Sequence, residues 1–141
     1  MNEGGYAGDI PPREAWRILE HDERAVLVDV RTPAEWSYVG VPDLSPLSKR
    51  PVFVPWALYP AMQINPNFTA DVAAAGVEPD QTVLFLCRSG VRSRSAAIAL
   101  TASGFPTCYN IAKGFEGDPD GRRHRGTVSG WKVDGLPWVQ G

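Results

Sequence analysis

The sequence predicts an α/β fold with a mostly parallel sheet covered by helices on both faces. Two observations carry this. Short, nearly continuous apolar runs, "AVLVDV" (25–30) and "TVLFLC" (82–87), read as strands buried on both faces rather than alternating half-buried ones. Between them lie segments with helical periodicity and helical end signals, so strands and helices alternate along the chain.

The elements follow in order. "PPREAWRILEHDE" (11–23) opens with prolines suited to a first helical turn and sets Ala15, Trp16, Ile18 and Leu19 on one stripe. "TPAEWSYV" (32–39) predicts a short helix with Thr32 as its cap and proline in its first turn. Residues 40–60 are proline-rich and loop-like, with a short strand at 52–54. "NPNFTADVAAAG" (65–76) reads as a helix ending at Gly76, "SRSAAIALTASG" (93–104) as a helix stopped by Gly104, and "TCYNI" (107–111) as a further strand. No repeat or low-complexity tract interrupts the pattern. The 13 prolines and 14 glycines punctuate one domain of 141 residues, with a core over 8–117 and a wrapping tail over 118–141. The segment from 114 onward holds seven glycines in 28 residues. It is suited either to wrap its own domain, with Trp131 and Trp138 as anchors, or to pack against a second copy in a homodimer.

Composition narrows the function classes. With 43% hydrophobic and 21% charged residues the chain is of globular type, and its net charge of −2 gives no global pull toward nucleic acid or membrane. No apolar run approaches the roughly 20 residues needed to span a bilayer. The N-terminal "MNEGGYAGDIPP" lacks the basic and apolar regions of a secretory signal, which points to the cytoplasm and to reduced thiols for Cys87 and Cys108. His21, between Glu20 and Asp22, reads as solvated. Arg122, Arg123 and Arg125 read as a solvated basic face without the aromatics of a nucleic-acid site, and His124 among them as a surface or interface residue.

The chemistry concentrates in "LFLCRSGVRSRS" (84–95). Cys87 ends a strand, and ligands of open α/β sheets sit beyond the carboxyl ends of strands. A loop over Arg88–Arg92 follows, turning at Gly90, before a helix near Ser93. Amide groups of such a loop make an anion nest, reinforced by the helix dipole. A thiol at its rim, beside Arg88, Arg92 and Arg94, is favoured as thiolate and suited to be a nucleophile. Cys108, within a strand and without a glycine loop, reads as core.

"CRSGVRS" resembles the active-site loop of the rhodanese (thiosulfate sulfurtransferase) family. "LVDVRTPAEW" (27–36), "SGFPTCYNIAKGFEGD" (103–118) and "GLPW" (135–138) resemble further family segments in the family's order. After Trp36 the chain departs from the pattern with the longer "VGVPDLSPLSKRP", and the segment between Gly117 and Trp131 is also longer. Both loops fall toward the mouth of the expected site, with Trp56 and Trp131 as candidate walls. The resemblance implies a rhodanese-like α/β fold with a central five-stranded parallel sheet. It implies a sulfurtransferase in which Cys87 takes a sulfane sulfur from a small anionic donor such as thiosulfate, becomes a persulfide, and passes the sulfur to cyanide or a thiol. Arg88 and Arg92 would bind the donor, and the N–H groups of Arg88, Ser89, Gly90, Val91, Arg92 and Ser93 would hold the persulfide. No metal or organic cofactor is implied. Asp29 and Arg31, at the end of the other long strand, either support this loop and its anion field or form a scaffold pairing with Glu35. Two alternatives stand beside this reading. One is a persulfide relay or binding module that docks on a protein sulfur donor or acceptor. The other is a cysteine phosphatase, whose loop requires arginine at the sixth position after cysteine, where this chain has Ser93.

Overall fold

The computed structural model describes residues 5–58 and 61–140; Tyr59 and Pro60, which end the proline-rich connection, lie outside the described residues. The main elements are β1 (Gly8–Ile10), α1 (Pro12–His21), β2 (Val26–Asp29), α2 (Pro33–Tyr38), β3 (Val41–Pro42), β4 (Val52–Phe53), β5 (Ala57–Leu58), β6 (Gln63–Ile64), α3 (Phe68–Ala74), β7 (Val83–Leu86), α4 (Val91–Ala102), β8 (Cys108–Ile111) and β9 (Trp138–Val139). Five of the strands form one sheet in the order β1-β8-β7-β2-β4, with every pairing parallel. Two antiparallel two-residue ladders, β3 with β9 and β5 with β6, lie outside it.

Side-chain alternation along the central strands builds two cores. Val28 of β2 and Val83 and Phe85 of β7 point to the face covered by α3 and α4, where Phe68, Val72, Ala97 and Leu100 meet them. Leu27, Leu84 and Leu86 point to the face of α1, against Ala15, Leu19, Phe115 and Trp131. Val83, Leu84, Phe85 and Leu86 are each 0% exposed, which explains the unbroken apolar run in the sequence. Burying each such side chain contributes about 1.5–3 kcal/mol.

β1 is absent from the sequence-based reading. It has three residues, starts at a glycine and exists only through its register with Tyr109, Asn110 and Ile111 of β8. The C-terminal tail closes the α1 face. Trp131 is completely buried and meets Trp16 edge-on at 5.9 Å, while its indole N–H donates to the Pro137 carbonyl at 2.7 Å.

Candidate active site

α4 begins at Val91, two residues before the position expected from sequence. Gly90, at φ +107°, reverses the chain in a single step, so the turn after β7 is only Arg88, Ser89 and Gly90. Arg92 and Ser93 therefore belong to the first turn of α4 rather than to a loop. Cys87 is not at the rim: it is 1% exposed and forms part of the α4-side core.

Two hydrogen-bond donors lie within reach of its sulfur. The Gly90 N–H donates at 3.1 Å and the Ser93 hydroxyl lies at 3.1 Å. Among the described residues, these are the donors of the expected set that reach Sγ. Arg88 and Val91 are exposed around it, and Ser89 is half-buried.

The arginines divide. Arg92 makes a two-pronged pair with Glu35 of α2, at 2.7 and 2.9 Å. Glu35 also closes the capping box of α2, its side chain accepting from the Thr32 N–H at 3.2 Å. Burial pushes the Glu35 carboxyl up, but Arg92 and Thr32 outweigh it and hold it below the ordinary range. The same contact with Glu35 raises Arg92 above its usual value against the opposing effect of burial, with the Cys87 sulfur among the smaller contributions. Arg94 faces away toward β1 and pairs with Asp9 at 2.9 Å. Arg88 and Arg94 are both exposed, but of the three only Arg88 has no carboxylate partner among the described residues.

Asp29 and Arg31 are both fully buried and bonded to each other, Nη2 to Oδ2 at 2.7 Å. Glu35 is not part of that pairing. Arg31 also donates to the Gly40 carbonyl at 2.8 Å and lies 4.4 Å over the Phe115 ring, while its Nη1 has no partner. This ties the end of β2 to the start of the inserted connection and to the segment that follows β8.

That segment grips the cysteine turn from behind. The Phe115 N–H donates to the Cys87 carbonyl at 2.8 Å, and the N–H groups of Glu116 and Gly117 donate to the Arg88 carbonyl at 3.0 and 3.1 Å. Lys113 and Gly114 both take left-handed backbone, at φ +68° and +59°. The approach at Gly114 is so close that a Cβ there would fall 2.4 Å from the Cys87 carbonyl oxygen.

Three residues of this site escaped the sequence-based reading in their present roles: Glu35 as partner of Arg92, Asn110 and Asp9. Asn110, 2% exposed, accepts from Ser93 and donates to Asp9. Its signal was available, because an amide inside the apolar strand "CYNI" needs a buried partner. A cleft of about 390 Å3 opens beside the turn, lined by Asp9, Gly90, Arg94, Asn110 and Lys113 among others; Cys87 does not line it. Trp131 is core and presents no wall, Trp56 packs edge-on to Phe68 at 5.0 Å, and His124 is exposed. Cys108 is fully buried, its thiol pushed up to about 11 by burial. Among the described residues no cluster of His, Cys, Asp or Glu could hold a metal ion.

A five-stranded parallel sheet with helices on both faces is the architecture of a rhodanese-like domain. The comparisons agree. The chain matches over 91% of its length a quarter of the longer rhodanese-like domain-containing protein 4, chloroplastic, of Arabidopsis thaliana, at 26% identity. More particularly, residues 8–141 match the family model described as STR4 middle domain, and the chain belongs to that family. It is 36% identical to the uncharacterized protein RP600 of Rickettsia prowazekii, over 89% of this chain and 91% of that one. The crystal structure of Rv0390 from M. tuberculosis superposes with a TM-score of 0.88 at 50% identity, covering 96% of this chain and 99% of that one.

Proposed function

We propose that the protein is a sulfurtransferase that carries sulfane sulfur on Cys87. The observation that carries this reading is the Cys87 sulfur held between the Gly90 N–H and the Ser93 hydroxyl, at 3.1 Å from each. The Gly90 N–H is a fixed dipole already aimed at the sulfur, so it needs no reorganisation when the charge forms, and the Ser93 hydroxyl stands within reach of the same atom. The rhodanese-like fold supports the same reading.

In the first half-reaction the Cys87 thiolate attacks the outer sulfur of thiosulfate. A new S–S bond forms, the bond to the oxidised sulfur breaks, and sulfite leaves with the electron pair. In the second, cyanide or a thiolate attacks the outer persulfide sulfur and Cys87 departs as thiolate, ready for the next cycle. Arg88 meets the anionic donor, because it is the arginine of the motif left exposed and unpaired among the described residues. Arg92, held by Glu35, adds its charge to the field around the sulfur but stays fixed as a brace between α2 and α4.

Incubation with thiosulfate should add the mass of one sulfur atom to the intact protein, reversibly with dithiothreitol. Cys87→Ser should add none. If that variant gains the same mass, or if an aryl phosphate is turned over robustly instead, the reading is wrong.

A further inference from the structure

A polar chain runs from the Cys87 sulfur through the domain to the surface carboxylate of Asp9. Ser93, 0% exposed, has its Oγ 3.1 Å from Cys87 Sγ and 2.5 Å from Asn110 Oδ1. A hydroxyl has one proton, so it serves one of those two acceptors at a time. Asn110 Nδ2 donates to Asp9 Oδ1 at 2.9 Å. Asp9 also accepts from the Tyr6 hydroxyl at 2.7 Å and from Arg94 at 2.9 Å. Burial pushes the Asp9 carboxyl up, but Tyr6, Asn110 and Arg94 together hold it below the ordinary range, so it is an acceptor only. Turning the Asn110 amide over would set its carbonyl oxygen against that carboxylate. The amide is therefore locked with Oδ1 toward Ser93.

We infer that Asp9, acting through Asn110, is a positioning residue that decides whether the Ser93 proton is offered to the Cys87 sulfur. While Cys87 is a thiol, the Ser93 proton rests on Asn110 Oδ1 and the serine oxygen is free to accept from the S–H. When the sulfur becomes an anion, the hydroxyl must rotate toward it and leave Asn110 Oδ1 without its donor. The locked amide thus competes with the sulfur for a single proton. The cleft beside the turn gives solvent access to the outer end of this chain at Asp9 and Asn110. The consequence for sulfur transfer rests on the role proposed for Cys87; the hydrogen-bond competition does not.

The other charged groups on the elements around Cys87 are Asp29 and Arg31 at the end of β2, Glu35 in α2, Arg88 and Arg92, and Lys113 and Glu116 after β8. Around Asp9 stand Tyr6, Arg94 and Asn110. None of these is altered in the variants below.

The test is the pH at which iodoacetamide modification of Cys87, followed by peptide mass mapping, reaches half its plateau rate. Asp9→Asn frees the amide to turn over and should lower this midpoint by about 0.5–1 unit, the scale of the one ordinary hydrogen bond that no longer competes for the Ser93 proton. Ser93→Ala should raise it, because the anion loses a donor. In the Ser93→Ala background the effect of Asp9→Asn should fall to about half or less, leaving only loss of a distant charge. Equal shifts in both backgrounds, or none in the parent, would overturn the inference. Thiosulfate loading of the parent protein is measured alongside. Loading without the Ser93-dependent shift removes the positioning role and keeps the sulfurtransferase reading; the shift without loading does the reverse.

Discussion

Replacing Gly114 by alanine tests whether the segment after β8 holds the cysteine turn in place. A Cβ at Gly114 would sit 2.4 Å from the Cys87 carbonyl oxygen and 2.7 Å from the carbonyl carbon and oxygen of Arg88. These are backbone atoms, so no side-chain rotation relieves the overlap. The left-handed backbone, φ +59°, costs alanine about 1–2 kcal/mol by itself. Forcing the two segments apart adds about 1–3 kcal/mol. It also weakens the hydrogen bonds from Phe115, Glu116 and Gly117 onto the Cys87 and Arg88 carbonyls, each contributing about 1 kcal/mol. The total loss is about 3 kcal/mol or more. Gly104 is the control: it has φ +103° but nothing within 4 Å of the place a Cβ would take, so Gly104→Ala carries the backbone cost alone. Urea unfolding of the two variants should differ by about 2 kcal/mol or more at unchanged m-value. Gly114→Ala should also lose sulfur uptake from thiosulfate, and Gly104→Ala should keep it. Equal losses of stability in the two variants would refute the close-approach argument.

Three further outcomes follow from the site. Glu35 has its carboxyl held below the ordinary range, so it stabilises the fold above the unfolded-state value of about 4.3 and loses that contribution as pH falls through the folded-state value. Glu35→Gln should therefore cost about 1–2 kcal/mol in urea unfolding at pH 7, with the gap to the parent closing below about pH 4. A gap unchanged at low pH would rule out the charged pair as its source. Arg88→Ala should raise the KM for thiosulfate about ten-fold without changing stability, as expected for loss of one charge-assisted contact; Arg92→Ala should instead lower stability, since its guanidinium is bound to Glu35. An Arg88→Ala enzyme with unaltered KM would remove Arg88 from donor binding. Cys108, with its thiol pushed up to about 11, should stay unmodified by iodoacetamide at about pH 8 until denaturant is added. Modification of Cys108 in the folded protein would show that its surroundings open.

The central strands, all four helices and the cysteine turn were legible because each announces itself locally. Apolar runs of strand length, Thr32 before a proline, and Gly90 between Cys87 and a helical segment are signals carried by neighbours in the chain. Even so, α4 begins two residues early, since the reach of the Gly90 turn depends on a backbone angle that composition does not specify. What lay beyond the sequence is of another kind. β1 is a strand only because β8 lies beside it. Glu35 and Arg92 are 57 positions apart, and Asn110 and Asp9 are 101 apart. Their meeting is set by the strand order β1-β8-β7-β2-β4, which brings β1 next to β8 and α2 over the start of α4. The order of residues along the chain is enough to place Cys87 at the end of a buried strand, facing a glycine turn and a helix N-terminus. Tertiary structure alone decided which arginine stays free, which carboxylate takes each of the others, and where the Ser93 proton goes. Partner choice among charged and polar side chains depends on distances of a few ångströms, and only the packed sheet sets those.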